Sequence, residues 1–189
     1  MGTPYYTWTF PVRDFDISPN LLPKDDTAMD QVMEWMNGDD VLSSVSRDDW
    51  LTSVLANVLP CFGSKALEFL CKDYPSQPET CDEYEEYWFV SQLDLKDIQA
   101  AIEDVDLLIS EALSRPEAFV RPLLDYMSEE IADAVRNAGD VRTESKEPEG
   151  EDDGDGPAYF FSFLKCLRSL LVAAQTRNFS VLHVRYIYI

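Results

Sequence analysis

The sequence is poor in the residues from which most enzyme sites and phosphate sites are built. It contains one histidine, His183, and seven glycines, none of which forms a glycine-rich phosphate loop. A catalytic triad would need a nucleophile and an orienting carboxylate beside that histidine, and neither a Gly-x-Ser-x-Gly motif nor a reactive-cysteine signature is present. We therefore predict no catalytic residue, and we expect His183 to be packed on the face of a strand.

The sequence also lacks a recognisable metal site. Its four cysteines, Cys61, Cys71, Cys81 and Cys166, are not spaced like zinc ligands, and one histidine does not complete a Cys/His set. We expect these thiols to be reduced and largely buried. An acidic stretch matches the first half of a calcium loop, but the twelfth place of that loop is Ser162, where calcium needs a bidentate acid. No metal and no cofactor is predicted.

The sequence is also poor in basic residues relative to acidic ones. The 189 residues include 36 acidic and 15 basic ones, which gives a formal net charge of −21. Such a charge repels nucleic acid and anionic membranes, whereas it favours encounters with a basic partner. No apolar run of membrane-spanning length is present, and the first residues do not form a secretory signal. We therefore expect a cytoplasmic protein that contacts neither nucleic acid nor membrane.

The patterns that are present predict an α+β protein. Apolar residues that recur every three or four positions indicate helices, and alternating aromatic and β-branched residues indicate strands. Because strands are expected at both chain ends, we predict helices packed on one face of a small, largely antiparallel sheet that includes both terminal segments. The expected strands are 3–12, 84–92 and 179–189. The expected helices are 28–37, 48–59 (ended or bent by Pro60), 64–72, 94–112, 116–139 (with a kink or restart at Pro122) and 158–176.

The length fits a single α+β domain that covers residues 1–189. Within it, residues 140–157 contain almost no apolar side chains and are predicted to form an acidic flexible loop. From residue 158 onward the chain has no acidic side chain, so the carboxylates are concentrated before that position. No pattern in the sequence indicates an oligomeric state.

The best local candidate for a binding site combines carboxylates with aromatic residues. In the segment 79–88 the acidic residues surround three aromatic side chains. Protein interfaces favour aromatic anchors, and surrounding charge of one sign steers an oppositely charged partner. The same pattern also fits a solvated loop that leads into a buried strand. Together with the acidic outer face of the helix at 94–112, the predicted partner-binding residues are Glu79, Asp82, Glu83, Tyr84, Glu85, Glu86, Tyr87, Trp88, Glu103, Asp104 and Asp106.

These features predict a protein that binds and occludes a basic partner. In size and acidity the chain resembles the immunity proteins of bacterial toxin systems, but no motif carries that resemblance and no residue role follows from it. The resemblance implies a basic, nuclease-like toxin as the partner. Three alternatives stay open: a DNA mimic that uses its helical carboxylates, a small carboxylate- or metal-dependent enzyme, and a subunit of a larger assembly.

Overall fold

A computed structural model describes residues 4–13, 33–38, 40–47, 49–71, 86–123, 126–138 and 156–188. The strands are β1 (Pro4–Val12), β2 (Leu42–Arg47), β3 (Glu86–Leu93) and β4 (Ser180–Tyr188). The helices are α1 (Trp50–Phe62), α2 (Ile98–Ser114), α3 (Glu117–Val120), α4 (Ser128–Asn137) and α5 (Gly156–Arg177). Residues 33–36 form a further helical turn, and short 3-10 turns cover Glu68–Leu70 and Leu95–Asp97.

The four strands form one antiparallel sheet in the order β2-β1-β4-β3. The strands from the two ends of the chain, β1 and β4, are therefore the central pair, and Thr9 lies opposite His183 in their register. This topology confirms the predicted α+β fold, in which helices cover one face of an antiparallel sheet that includes both terminal segments.

Helix α5 is the centre of the helical layer. It packs against α2, α4 and β1, and its residues Phe160, Phe161 and Phe163 are fully buried. The ring of Phe161 lies 5.8 Å from that of Phe119, measured between centroids. By length and composition α5 could cross a membrane, but 61% of its most apolar stretch is buried inside the protein. A helix that is apolar on nearly all sides and buried in this way forms part of the core.

The apolar residues that recur every three or four positions in α2 pack on one side of the helix, as the sequence predicted. Ile98, Val105 and Leu108 lie on one side of this helix and are fully buried. Burying an aliphatic side chain of this size stabilises a fold by about 1.5–3 kcal/mol. Glu103, on the other side, is exposed. The buried stripe thus fixes which carboxylates of α2 face outward.

The opposite face of the sheet carries a second, smaller apolar cluster. Its buried members come mainly from β1, β3 and β4, and Trp35 packs against them from the helical turn at 33–36. The rings of Phe10 and Trp35 are 6.4 Å apart. Val45 and Met33 remain 41% and 43% exposed on this side. The turn therefore covers only part of this sheet face.

The secondary structure departs from prediction at three places. Strand β2 is a fourth strand beyond the three expected, and Thr7 of β1 bonds Ser44 of β2 at 2.6 Å between hydroxyl oxygens. Helix α1 continues through Pro60 to Phe62, because this exposed proline lies in the last turn and removes only one helical hydrogen bond. The helix expected over 64–72 is reduced to the 3-10 turn at Glu68–Leu70.

Two further expectations concern the cysteines and the acidic loop. Cys61 is exposed on α1, which contradicts the expectation of largely buried thiols, while Cys166 is buried as expected. Cys81 and most of the predicted loop at 140–157 lie outside the described residues.

Candidate functional site

Most of the predicted acid–aromatic segment lies outside the described residues. This applies to residues 79–85, and at residues 86–88 only the backbone of β3 is described. The register pairs Trp88 with Tyr186 and Glu86 with Tyr188 of the central strand β4. The predicted segment therefore leads directly into an edge strand of the sheet, next to the aromatic residues at the end of β4.

The three acidic residues predicted on α2 differ in what they contact. Glu103 is exposed and accepts a hydrogen bond only from Gln99 of the same helix, at 2.8 Å, among the described residues, whereas Asp104 accepts one from the backbone N–H of Ala66 at 3.0 Å. Asp106 binds Arg168 of α5 through two contacts of 2.5 and 3.0 Å. Partial burial raises the pKa of Asp104, while its backbone hydrogen bonds act in the opposite direction. Asp104 and Asp106 therefore connect parts of the fold, and Glu103 is the most available of the three for a partner.

Other carboxylates on the helices are also paired within the fold. Glu111 binds Arg115 at the end of α2, and Asp133 binds Arg136 on α4 at 2.7 Å. A DNA mimic needs an array of carboxylates that stand in for phosphates. Pairing with internal cations reduces the charge of such an array, so the described helices do not favour the DNA-mimic alternative.

The surplus negative charge is concentrated in a few segments of the sequence. The described residues include 15 of the 36 acidic side chains and 11 of the 15 basic ones, a formal difference of −4 from the total of −21. Most of the remaining acidic residues belong to the segments 14–32, 72–85 and 139–155. The described residues are thus close to charge balance, and most of the acidic surplus belongs to these three segments of the sequence.

A pocket of about 320 Å³ opens on the sheet face that the helical layer leaves uncovered. Its floor consists of Tyr6 and Trp8 of β1 and Tyr186 of β4. The rings of Tyr6 and Trp8 are stacked, with centroids 6.1 Å apart and planes inclined by 16°. Tyr186 lies 6.4 Å from Tyr6 at an inclination of 41°. We call this concavity the sheet pocket.

The walls of the sheet pocket come from the helical turn and the residue that follows it. Met33 and Met36 contribute thioether side chains, and Asn37 contributes an amide. The side-chain N–H of Asn37 donates a hydrogen bond to the carbonyl of Met33 at 2.9 Å. The amide oxygen is the hydrogen-bond acceptor of this side chain. The aromatic residues of β1 and the methionines at positions 33 and 36 lie on separate segments of the sequence. Their meeting was not predicted, because the two lie on segments that only the tertiary fold brings together.

The other face of the sheet, beneath the helices, holds a layer of buried polar residues. His183 is 5% exposed, and its Nδ1 lies 2.9 Å from the hydroxyl of Thr9. Its ring contacts Phe69 edge-on, and no described residue bonds its Nε2. Burial, and to a smaller extent the positive charge of Arg185, lowers the pKa of His183 to about 3. A buried, neutral imidazole of this kind is a packed strand residue, as the sequence predicted. The polar layer comprises Thr7, Thr9, Ser44, Ser46, Ser91, His183 and Arg185.

The charged member of this layer has a carboxylate partner. Arg185 is 5% exposed, and its guanidinium lies 3.4 Å from a carboxylate oxygen of Asp49. Asp49 precedes α1 with a left-handed backbone, at a φ of 57°. A buried cation of this kind is stable only when it is paired. Arg185 and Asp49 thus tie the loop before α1 to the centre of the sheet.

Among the described residues, no group of three or more histidine, cysteine, aspartate or glutamate side chains is arranged to hold a metal ion. The partial calcium-loop pattern at 151–155 lies outside that part of the chain. Comparisons with protein-family models, with curated proteins and with solved structures give no match to this chain.

Proposed function

We propose that this protein binds a basic protein partner and blocks it, in the manner of an immunity protein that neutralises a toxin. The segregation of charge carries this proposal. Acidic residues concentrated in the segments 14–32, 72–85 and 139–155 produce a local negative field, whereas an even distribution would serve solubility alone. The cytoplasm, where such a protein would meet its partner, is the proposed location.

The proposed mechanism has two stages. The acidic segments first steer the cationic surface of the partner, because opposite charges raise the rate of productive encounter. Aromatic side chains then become buried at the interface and supply most of the affinity. The segment 72–85 is suited to link the two stages, since it leads into β3 at the strand end where Trp88 pairs with Tyr186.

The test begins with affinity capture on the immobilised protein at low salt, followed by stopped-flow measurement of association with the captured partner. We expect the association rate constant to fall at least ten-fold between about 50 mM and about 500 mM salt, because screening shortens the range of the field. We also expect the complex to inhibit the activity of the partner. An association rate that is independent of salt, or a partner that stays fully active in the complex, would contradict the proposal.

Two variants that change the net charge by the same amount distinguish the effect of local steering from the effect of total charge on association. The first replaces five acids of the predicted segment by amides, and the second does the same to five acids between residues 144 and 152. We expect the first variant to associate more slowly than the second, although both gain the same formal charge. Equal slowing would show that only the total charge matters. The first set is Glu79, Asp82, Glu83, Glu85 and Glu86, and the second is Glu144, Glu147, Glu149, Glu151 and Asp152.

A further inference from the structure

We propose that the sheet pocket receives an arginine side chain of the basic partner. This inference rests on the proposed function and assigns the docking site for one residue of that partner.

The residues that line the sheet pocket supply the first reason. Aromatic faces attract cations through their negative quadrupole, and three such rings from Tyr6, Trp8 and Tyr186 form the floor. The thioethers of Met33 and Met36 adapt to side chains of irregular shape.

The acidic segments that adjoin the sheet pocket in the sequence supply the second reason. The helical turn at 33–36 follows directly on the acidic segment 14–32, and β3 follows directly on the acidic segment 72–85. Both junctions lie beside the pocket, because Met33 is part of its wall and Trp88 pairs with Tyr186 of its floor. An apolar ligand would gain nothing from this surplus of carboxylates, whereas a cation would be attracted to it.

The geometry favours arginine over lysine. The rings of Tyr6 and Trp8 are nearly parallel, at an inclination of 16°, and each ring face is a flat surface. A planar guanidinium stacks on such a surface and still directs N–H donors sideways, while an ammonium group is a compact, strongly hydrated charge. The amide oxygen of Asn37 is an acceptor within the pocket for one of those donors.

The test uses three short synthetic peptides that differ only in a central arginine, lysine or norleucine. Binding is followed by NMR through the side-chain resonances of Trp8 and Tyr186. We expect the arginine peptide to shift these resonances and to bind about ten-fold more tightly than the norleucine peptide, as a desolvated cation–aromatic contact allows. Equal affinity of the two peptides would overturn the proposal in favour of an apolar occupant. Absence of any shift would overturn it as well.

A pair of methionine substitutions provides the matched control. Met33→Lys places a positive charge in the wall of the sheet pocket, and Met127→Lys places the same charge at the start of α4 in the helical layer. Both side chains are exposed, at 43% and 62%, so both variants should fold. We expect Met33→Lys to weaken binding of the arginine peptide about ten-fold more than Met127→Lys. Equal weakening would contradict a site in the pocket.

The same variants distinguish failure of this inference from failure of the proposed function. If the captured partner binds Met33→Lys and Met127→Lys equally well, with its salt dependence intact, the pocket assignment is wrong and the proposed function stands. If no basic protein shows salt-dependent binding, while the arginine peptide still shifts the resonances of Trp8 and Tyr186, the proposed function is wrong and the arginine site stands.

Discussion

The side chain of His183 lies on the face of the sheet that the helices cover. Its described neighbours there are Thr9, Phe69 and Arg185. Burial and the nearby guanidinium both disfavour a positive charge on its ring, so the folded protein holds it neutral. The unfolded chain imposes no such restriction, and there the imidazole binds a proton near its ordinary pKa of about 6.5. Protonation of the His183 imidazole is therefore linked to unfolding.

This linkage makes stability depend on pH in a definite direction. The unfolded state binds more protons than the folded state between pH about 6.5 and about 3, so stability falls as the pH falls through that window. Relative to a His183→Gln variant, we expect the wild type to lose about 2 kcal/mol of unfolding free energy between pH 7 and pH 5. Urea denaturation of both proteins at several pH values measures this difference. Parallel pH profiles would show that His183 is not the linked group.

Strand β2 shows how one side chain protects an edge of the sheet. The hydroxyl of Tyr159, on α5, accepts a hydrogen bond from the N–H of Val45 at 3.0 Å and donates one to its carbonyl at 2.9 Å. These two backbone groups belong to an edge strand, where unpaired groups invite pairing with other chains. Helix α5 thus takes the place of a further strand at this position.

Removal of that hydroxyl should weaken the edge without disturbing the core. We expect Tyr159→Phe to cost about 2 kcal/mol of unfolding free energy, since two hydrogen bonds to a half-buried strand are lost. Amide hydrogen exchange at Val45 should become faster. Tyr5→Phe is the matched control, because the hydroxyl of Tyr5 has no partner among the described residues. Similar losses in both variants would assign no special role to Tyr159.

The elements that the sequence predicted are those whose pattern of apolar and polar residues lies within one segment of the chain. The apolar stripe of α2 and the alternation in β1 and β4 are local, and the structure confirms all three. Strand β2 was missed because its inner face carries Ser44 and Ser46, which a local pattern identifies as loop residues. They form a strand because β1 presents polar partners such as Thr7 on the same buried face.

The sheet pocket illustrates the part of a site that sequence alone does not indicate. Tyr6 and Tyr186 are neighbours in the sheet although nearly the whole chain separates them. Nothing local to either residue marks the other as its partner. The acid–aromatic segment at 79–88, in contrast, was visible as a pattern, and its role in binding remains a prediction. Only the strand order brought the aromatic floor of the sheet pocket together.

The net charge of the whole molecule affects its stability. With a formal net charge of −21, repulsion among carboxylates opposes the compact state at low ionic strength. We expect the melting temperature to rise by several degrees between about 20 mM and about 200 mM sodium chloride, because added ions screen this repulsion. Thermal unfolding followed by circular dichroism measures the change.

The variant with five amides between residues 144 and 152 provides the control for this effect. It carries less surplus charge, so we expect a smaller rise in melting temperature over the same range of salt. A rise as large as that of the wild type would indicate that salt acts through another route, such as weaker hydration of apolar surface.

The central position of β4 has a consequence for how the protein is made. Thr9 and His183 are 174 positions apart, yet they belong to neighbouring strands in the middle of the sheet. While the ribosome is still adding residues before 180, β1 has only β2 beside it, and β3 has no neighbour from this sheet. Contacts of such long range form slowly. The nascent chain therefore emerges with its sheet incomplete and its apolar strands uncovered, and chaperones have a period in which to bind it.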